Sequence, residues 1–250
     1  MLNYVTHGDR SHPALLLLHG FMSCNGQWLA NLDNLTDRYF LVCAELWGHG
    51  DSPTPLDEAC YTQQSYEDQF ELIRQALDIE HWAVIGQSYG AGIVLHYAAN
   101  YPAICKAAVA TNSRSAFGSM LEEHAERSAL PREGLDVRKL PYHPIHARRF
   151  PEHIKRELVE KADGMSADAI RLGGLLGSTL NCRELVLDYP LPLLITNGKY
   201  ERSFQQDLTN LKAQGTDLNI VDLPGGHSVN IEAAAEFDEA VMGFLQQVWC

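Results

Sequence analysis

Gly86-Gln87-Ser88-Tyr89-Gly90 is the segment of this 250-residue chain whose residue types and spacing most directly suggest chemistry. It fits G-x-S-x-G, a sharp turn from a strand into a helix that lifts a serine hydroxyl clear of the backbone. The strand-like run 82–85 precedes it and a helix-like run from Ala91 follows it. Such a turn strains the serine's backbone, so its neighbours must be small; Gly86, Gly90, Ala91 and Gly92 leave that space. The helix N-terminus beside Ser88 favours developing negative charge. A hydroxyl is a weak nucleophile until a base takes its proton. Among 11 histidines, His227 fits by position, because it follows the last strand-like run in a glycine-rich loop, Gly225-Gly226. His19 and His49 read as turn-stabilising residues, and His7, His12 and His81 as surface loop residues. His124, His143, His146 and His153 fall in a separate stretch, where they read as solvated positions, with lining a pocket as the alternative.

These residues need a scaffold that brings distant turns together. Short apolar runs rich in β-formers occur at 3–6, 14–18, 40–44, 82–85, 107–111, 193–196 and 219–222. Most are continuously apolar, as strands are when both faces of a parallel sheet are covered. Amphipathic stretches at 27–35, 64–77, 89–99, 204–213 and 232–248 alternate with them, and Phe70, Ile73 and Leu77 share one helical face. The pattern predicts an α/β fold with a mostly parallel central sheet flanked by helices. It breaks after Asn112: residues 114–185 contain no clear strand but helix-like runs at 120–128, 152–161 and 167–180, punctuated by Pro131, Pro141, Pro144 and Pro151. We therefore expect a core of residues 1–113 and 186–250 carrying a helical cap insertion, 114–185.

With Ser88 and His227 in this setting, the chain resembles the α/β-hydrolase superfamily over nearly its whole length. His19-Gly20-Phe21 is similar to that family's oxyanion loop, Trp47-Gly48-His49-Gly50-Asp51-Ser52-Pro53 to its G-H-G-x-S turn, and Gly225-Gly226-His227 to its histidine loop. The resemblance implies a catalytic triad whose acid follows the strand at 193–196. The family usually has G-x-x-D there; this chain has Gly198-Lys199-Tyr200-Glu201, which makes Glu201 the expected acid and Asp222 the alternative. It also implies an oxyanion hole from the backbone N–H groups of Phe21 and Tyr89; Met22, Trp28 and Trp47 read as core residues by default, with a place in the pocket wall as the alternative. The activity implied is that of a small carboxylesterase-like serine hydrolase acting on an ester, thioester or lactone, without a cofactor or metal. A second branch is similar too, the synthase forming 2-succinyl-6-hydroxy-2,4-cyclohexadiene-1-carboxylate in menaquinone biosynthesis. That synthase has an arginine just after its elbow, where this chain has Ala91, Gly92 and Ile93. A third possibility is a receptor of this fold that binds a ligand with little turnover.

Composition narrows the partners. The chain carries 19 Lys+Arg against 32 Asp+Glu, a net charge of -13, which disfavours nucleic acid or an anionic membrane as partner. Six scattered cysteines without C-x-x-C spacing, and no export signal, suggest free thiols in the cytoplasm. No Cys/His spacing suggests a zinc site. Charge is unevenly placed: residues 114–185 hold 12 of the cations and sum to +1, while the rest of the chain sums to -14. The two parts would then attract each other with the arginines solvated, or some cations would face the cleft and select a small-molecule acyl substrate carrying negative charge.

Overall fold

The computed structural model describes residues 1–118, 136–214 and 217–249. Among them, seven strands form one sheet: β1 (Tyr4–His7), β2 (Ala14–Leu18), β3 (Phe40–Ala44), β4 (Trp82–Gly86), β5 (Cys105–Ala110), β6 (Leu193–Gly198) and β7 (Asn219–Leu223), in the spatial order β1-β3-β2-β4-β5-β6-β7. Only β1 runs antiparallel, against β3; the pairs from β3 through β7 are parallel. The expected mostly parallel α/β sheet is what the chain forms.

Alternation along each strand sends neighbouring side chains to opposite faces. Leu16, Leu18, Val42, Ala44 and Val84 join one apolar cluster with Phe70 and Ile73 of the helix Gln63–Ala76 and Ile93 of the helix Tyr89–Asn100. Leu15, Leu17, Leu41, Ala83 and Ile85 face the other way, toward Trp28, Leu35 and, from the helix Ala234–Val248, Phe237 and Val241. Both faces being covered explains why β2, β3 and β4 are buried at every position and read as unbroken apolar runs.

Two expected helices are broken. The stretch 27–35 becomes a 3-10 turn, Asn25–Trp28, followed by a short helix, Leu32–Thr36. Gln27 and Asn31 between them turn their amides inward to Asn230, and Asn31 also reaches Asp238. The stretch 232–248 divides at Ala233, whose φ of -138° is extended, giving Val229–Glu232 and Ala234–Val248.

Between β5 and β6 the described residues hold no strand, but include the helices Arg114–Phe117, Glu152–Asp163 and Ala167–Gly173. The helix expected over 120–128 lies outside the described residues, and the one expected over 167–180 gives way to 3-10 geometry at Leu175–Thr179. Ala162, Met165, Ala169 and Ile170 pack around Met22, while Ile154 and Leu158 pack against Cys24 and Ile231. These contacts lay the segment over the loop that follows β2. Among the described residues, no helix is long and apolar enough to cross a membrane.

Candidate active site

The connection leaving β2 runs to β3 on one side, whereas β4 lies on the other, so the chain diverges between β2 and β4. Such a divergence leaves a crevice beyond the C-terminal ends of a parallel sheet. Leu18 ends β2 in register with Gly86 at the end of β4, and Gln87 N–H still donates to Leu18 O at 2.9 Å. The next residue, Ser88, has φ 52° and ψ -112°, a left-handed conformation that costs a non-glycine residue energy. Thr111 Oγ1 accepts from its N–H at 3.2 Å. The glycines are required by contact: a Cβ on Gly86 would lie 2.5 Å from Ala91 Cα and Gly90 O, and one on Gly90 2.5 Å from His19 O.

His227 comes from the loop after β7. That loop is closed on the one after β6, where Tyr200 N–H donates to Gly225 O at 2.9 Å and a Cβ on Gly198 would overlap Gly226 O. Gly226 N–H donates to Glu232 Oε2 at 2.9 Å, so the short helix Val229–Glu232 folds back to brace the histidine loop. The His227 ring stands between two partners, with Nε2 2.8 Å from Ser88 Oγ and Nδ1 3.0 Å from Glu201 Oε1. An ionised carboxylate only accepts, so Nδ1 carries the proton and Nε2 is left to accept from the Ser88 hydroxyl. Desolvation of the ring disfavours the imidazolium even though 46% of the side chain stays exposed, but the charge and hydrogen bond of Glu201, with the charge of Glu232, outweigh it and raise His227 above its ordinary value. For Glu201, burial pushes the carboxyl up; His227, the Asn112 amide and the Arg114 charge together hold it below the ordinary glutamate value.

Glu201 thus meets the imidazole, and Asp222 does not: it is exposed and accepts from Asn197 Nδ2 at 2.8 Å. His19 and His49 also stay apart from the serine. Leu46 N–H donates to His19 Nε2 at 3.1 Å, so His19 Nδ1 donates to Gly20 O at 2.7 Å; His49 Nδ1 is bonded to Trp47 O at 2.9 Å. Burial pushes these rings down to about 4 and about 3 respectively, keeping both neutral. The loop carrying Phe21 passes beside Ser88, since a Cβ on Gly20 would be 3.2 Å from Ser88 Cβ. The Phe21 and Tyr89 rings lie 5.4 Å apart, and the Tyr89 hydroxyl donates to Gly173 O.

Asn112 is the residue that sequence reasoning passed over. It follows β5 where an acid would have been noticed, and its side chain reaches both Gly198 and Glu201. The signal was the adjacency of β5 and β6, which only the sheet order reveals.

Above the serine opens a cavity of about 590 Å³, within the range of small-molecule sites. Met22, Phe150, Leu158 and Ile170 give it apolar walls, while Trp28 and Trp47 are buried in the core away from it. The residues after the elbow, Ala91, Gly92 and Ile93, are buried and uncharged, so they bring no cation to the cavity. Arg114 is the one Lys or Arg among the described lining residues. It pairs with Asp207 at 3.4 Å, and other cations of the β5–β6 segment also meet carboxylates: Arg149 with Glu232 of the cavity lining at 3.2 Å, Lys161 with Asp51 at 2.6 Å and Arg171 with Glu58 at 3.0 Å.

Comparison with known proteins agrees with this architecture. Residues 13–137 match the family model described as alpha/beta hydrolase fold. Monoacylglycerol lipase ABHD6 of Bos taurus is 27% identical over 166 residues, covering 61% of this chain and 46% of the lipase. The chain spans less than half the length of the curated relatives it matches. Among solved structures, a hydrolase from Pseudomonas aeruginosa PA01 superposes with a TM-score of 0.80 at 20% identity, covering 98% of this chain and 94% of that one. The enol-lactonase from Burkholderia xenovorans LB400 gives 0.79 at 17% identity, covering 98% and 96%.

Proposed function

The chain belongs to the alpha/beta hydrolase fold family, and on that premise we propose that it is a serine hydrolase cleaving a small carboxylic ester, thioester or lactone. One observation carries the reading: hydrogen bonds of 2.8 and 3.0 Å link Ser88 through His227 to Glu201 at the floor of a small-molecule-sized cavity. Ser88 Oγ attacks the carbonyl carbon as its proton passes to His227 Nε2, and the carbonyl electron pair moves onto oxygen. That oxyanion meets the backbone N–H groups of Phe21 and Tyr89; the approach of the Gly20 backbone to Ser88 supports this role. Collapse expels the alcohol, thiol or lactone hydroxyl, which takes the proton from Nε2 and leaves acyl-Ser88. Water then attacks with His227 again as base, releasing the acid.

Residues 114–185 act as a cap in this reading, supported by the packing of 162–170 around Met22 over the cavity. The acyl group lies along Met22, Leu158 and Ile170, and the lining arginine, Arg114, is paired with Asp207 at 3.4 Å, so a preference for negative charge needs the substrate to share that guanidinium. A panel of p-nitrophenyl esters, neutral and carboxylate-bearing, tests the proposal. The wild-type protein should hydrolyse at least the short esters, and Ser88→Ala should lose activity by a factor on the order of 10⁶. Binding without turnover across the panel would instead favour a receptor, and a Ser88→Ala variant near wild-type rate would remove Ser88 as nucleophile.

A further inference from the structure

Asn112 is fully buried and engages both ends of its carboxamide. Its Oδ1 accepts from Gly198 N–H at 2.7 Å, while Nδ2 donates to Gly198 O at 3.1 Å and to Glu201 Oε2 at 2.7 Å. The first two bonds pin the amide plane to the end of β6; the third reaches the carboxylate oxygen that His227 does not use.

Geometry gives that third bond a specific consequence. Glutamate has one more rotatable bond than aspartate, and its terminal torsion is broad. A carboxylate on such a stem presents either oxygen to a partner unless something holds the other. With Oε2 held by a donor that is itself fixed at two backbone atoms, Oε1 is the oxygen left toward His227 Nδ1. Residue type matters as much as position. An aspartate here would keep the acceptor for Gly198 N–H but lose the donor, and would set a second carboxylate against Glu201. Two carboxylates in contact cannot both ionise freely.

We propose that Asn112 is a positioning residue for Glu201, holding the carboxylate in the rotamer that presents Oε1 to His227, and that the function requires an amide at this site. The proposal rests on Glu201 being the acid of the serine relay. It explains how a glutamate serves at this position despite its extra freedom: the neighbouring strand supplies the restraint.

The test compares wild type, Glu201→Gln, Asn112→Ala, Asn112→Asp and the Asn112→Ala/Glu201→Gln double variant on one p-nitrophenyl ester, with kcat, KM and the pH profile of kcat/KM. Asn112→Ala should lower kcat by roughly 10- to 100-fold, the usual weight of a hydrogen bond to a charged group, with KM changed by less than about twofold. Its kcat/KM inflection should move to lower pH, in the same direction as for Glu201→Gln, because a loosened carboxylate supports the imidazolium less. In the Glu201→Gln background, Asn112→Ala should cost less than about twofold more, the signature of a residue acting through Glu201. Asn112→Asp is nearly isosteric and guards against misfolding of the alanine variant; it should lose activity at least as severely. Equal losses from Asn112→Ala in both backgrounds, or wild-type kcat in Asn112→Asp, would overturn the proposal while leaving the relay intact. Wild-type kinetics in Glu201→Gln would overturn the relay's acid and the proposal together.

Discussion

His227 sits between unequal partners, a neutral hydroxyl at Nε2 and a carboxylate at Nδ1, and that asymmetry sets its protonation. In the proposed role of general base it must be neutral, so kcat/KM should rise with pH through the His227 titration, at a midpoint above the usual value near about 6.5. Removing the charge in Glu201→Gln takes away the main support of the imidazolium. The inflection should then move down in pH while the plateau falls. A profile flat between about pH 5 and about pH 8 would remove His227 as base. Ser88, His227 and Glu201 were legible in the sequence because each stands in a short motif after an apolar run. Glu201 was preferred there, with Asp222 as the alternative; in the structure Asp222 lies within β7 and bonds Asn197, while the loop after β6 closes on the histidine loop and brings Glu201 to the imidazole. Asn112 was invisible. An asparagine after a strand is commonplace, and its partners Gly198 and Glu201 lie 86 and 89 residues away.

At the scale of elements, the elbow depends on how closely two chain segments cross. Gly90 brings the first turn of its helix against the backbone at the end of β2, where a Cβ would meet His19 O at 2.5 Å and Leu18 O at 2.6 Å. Neither atom belongs to a flexible side chain, so Gly90→Ala must push the helix and β2 apart. Such overpacking costs roughly 1–3 kcal/mol, and Tm should fall by roughly 3–10 °C with most activity lost. Unchanged Tm and rate would mean that the crossing is looser than described. The strands were readable from the sequence because burial on both faces makes them unbroken apolar runs. The breaks at 29–31 and at Ala233 were not; beside the first, Gln27 and Asn31 bond to residues about 200 positions away. Asn31 and Asn34 donate to Asp238, and burial pushes that carboxyl up to about 6. Periodicity along one segment carries no trace of a partner some 200 residues away.

Over the whole molecule, the division between a -14 body and a +1 segment resolves into ion pairs across their boundary, Lys161–Asp51, Arg171–Glu58 and Arg149–Glu232. All three have at least one well-exposed partner, and exposed pairs are weak and screened by salt. Buried contacts outweigh them: Ile154, Leu158 and Ile170 are nearly inaccessible, and each such side chain contributes roughly 1.5–3 kcal/mol on burial. Raising NaCl from about 0.05 M to about 1 M should therefore lower Tm by no more than about 3 °C. A fall of about 10 °C would mean that charge, rather than apolar packing, holds the segment down. The uneven charge was plain in the sequence, and the pairing it implied is what these cations show: they face carboxylates, Arg114 at the cavity wall included, its Nε 3.4 Å from Asp207 Oδ2. The central claim is that the geometry around Ser88 makes its hydroxyl a nucleophile. The most direct measurement is to treat the protein with a fluorophosphonate and locate the adduct by peptide mass spectrometry. The account predicts stoichiometric modification of Ser88, suppressed in His227→Ala; no adduct, or one on another residue, would contradict it.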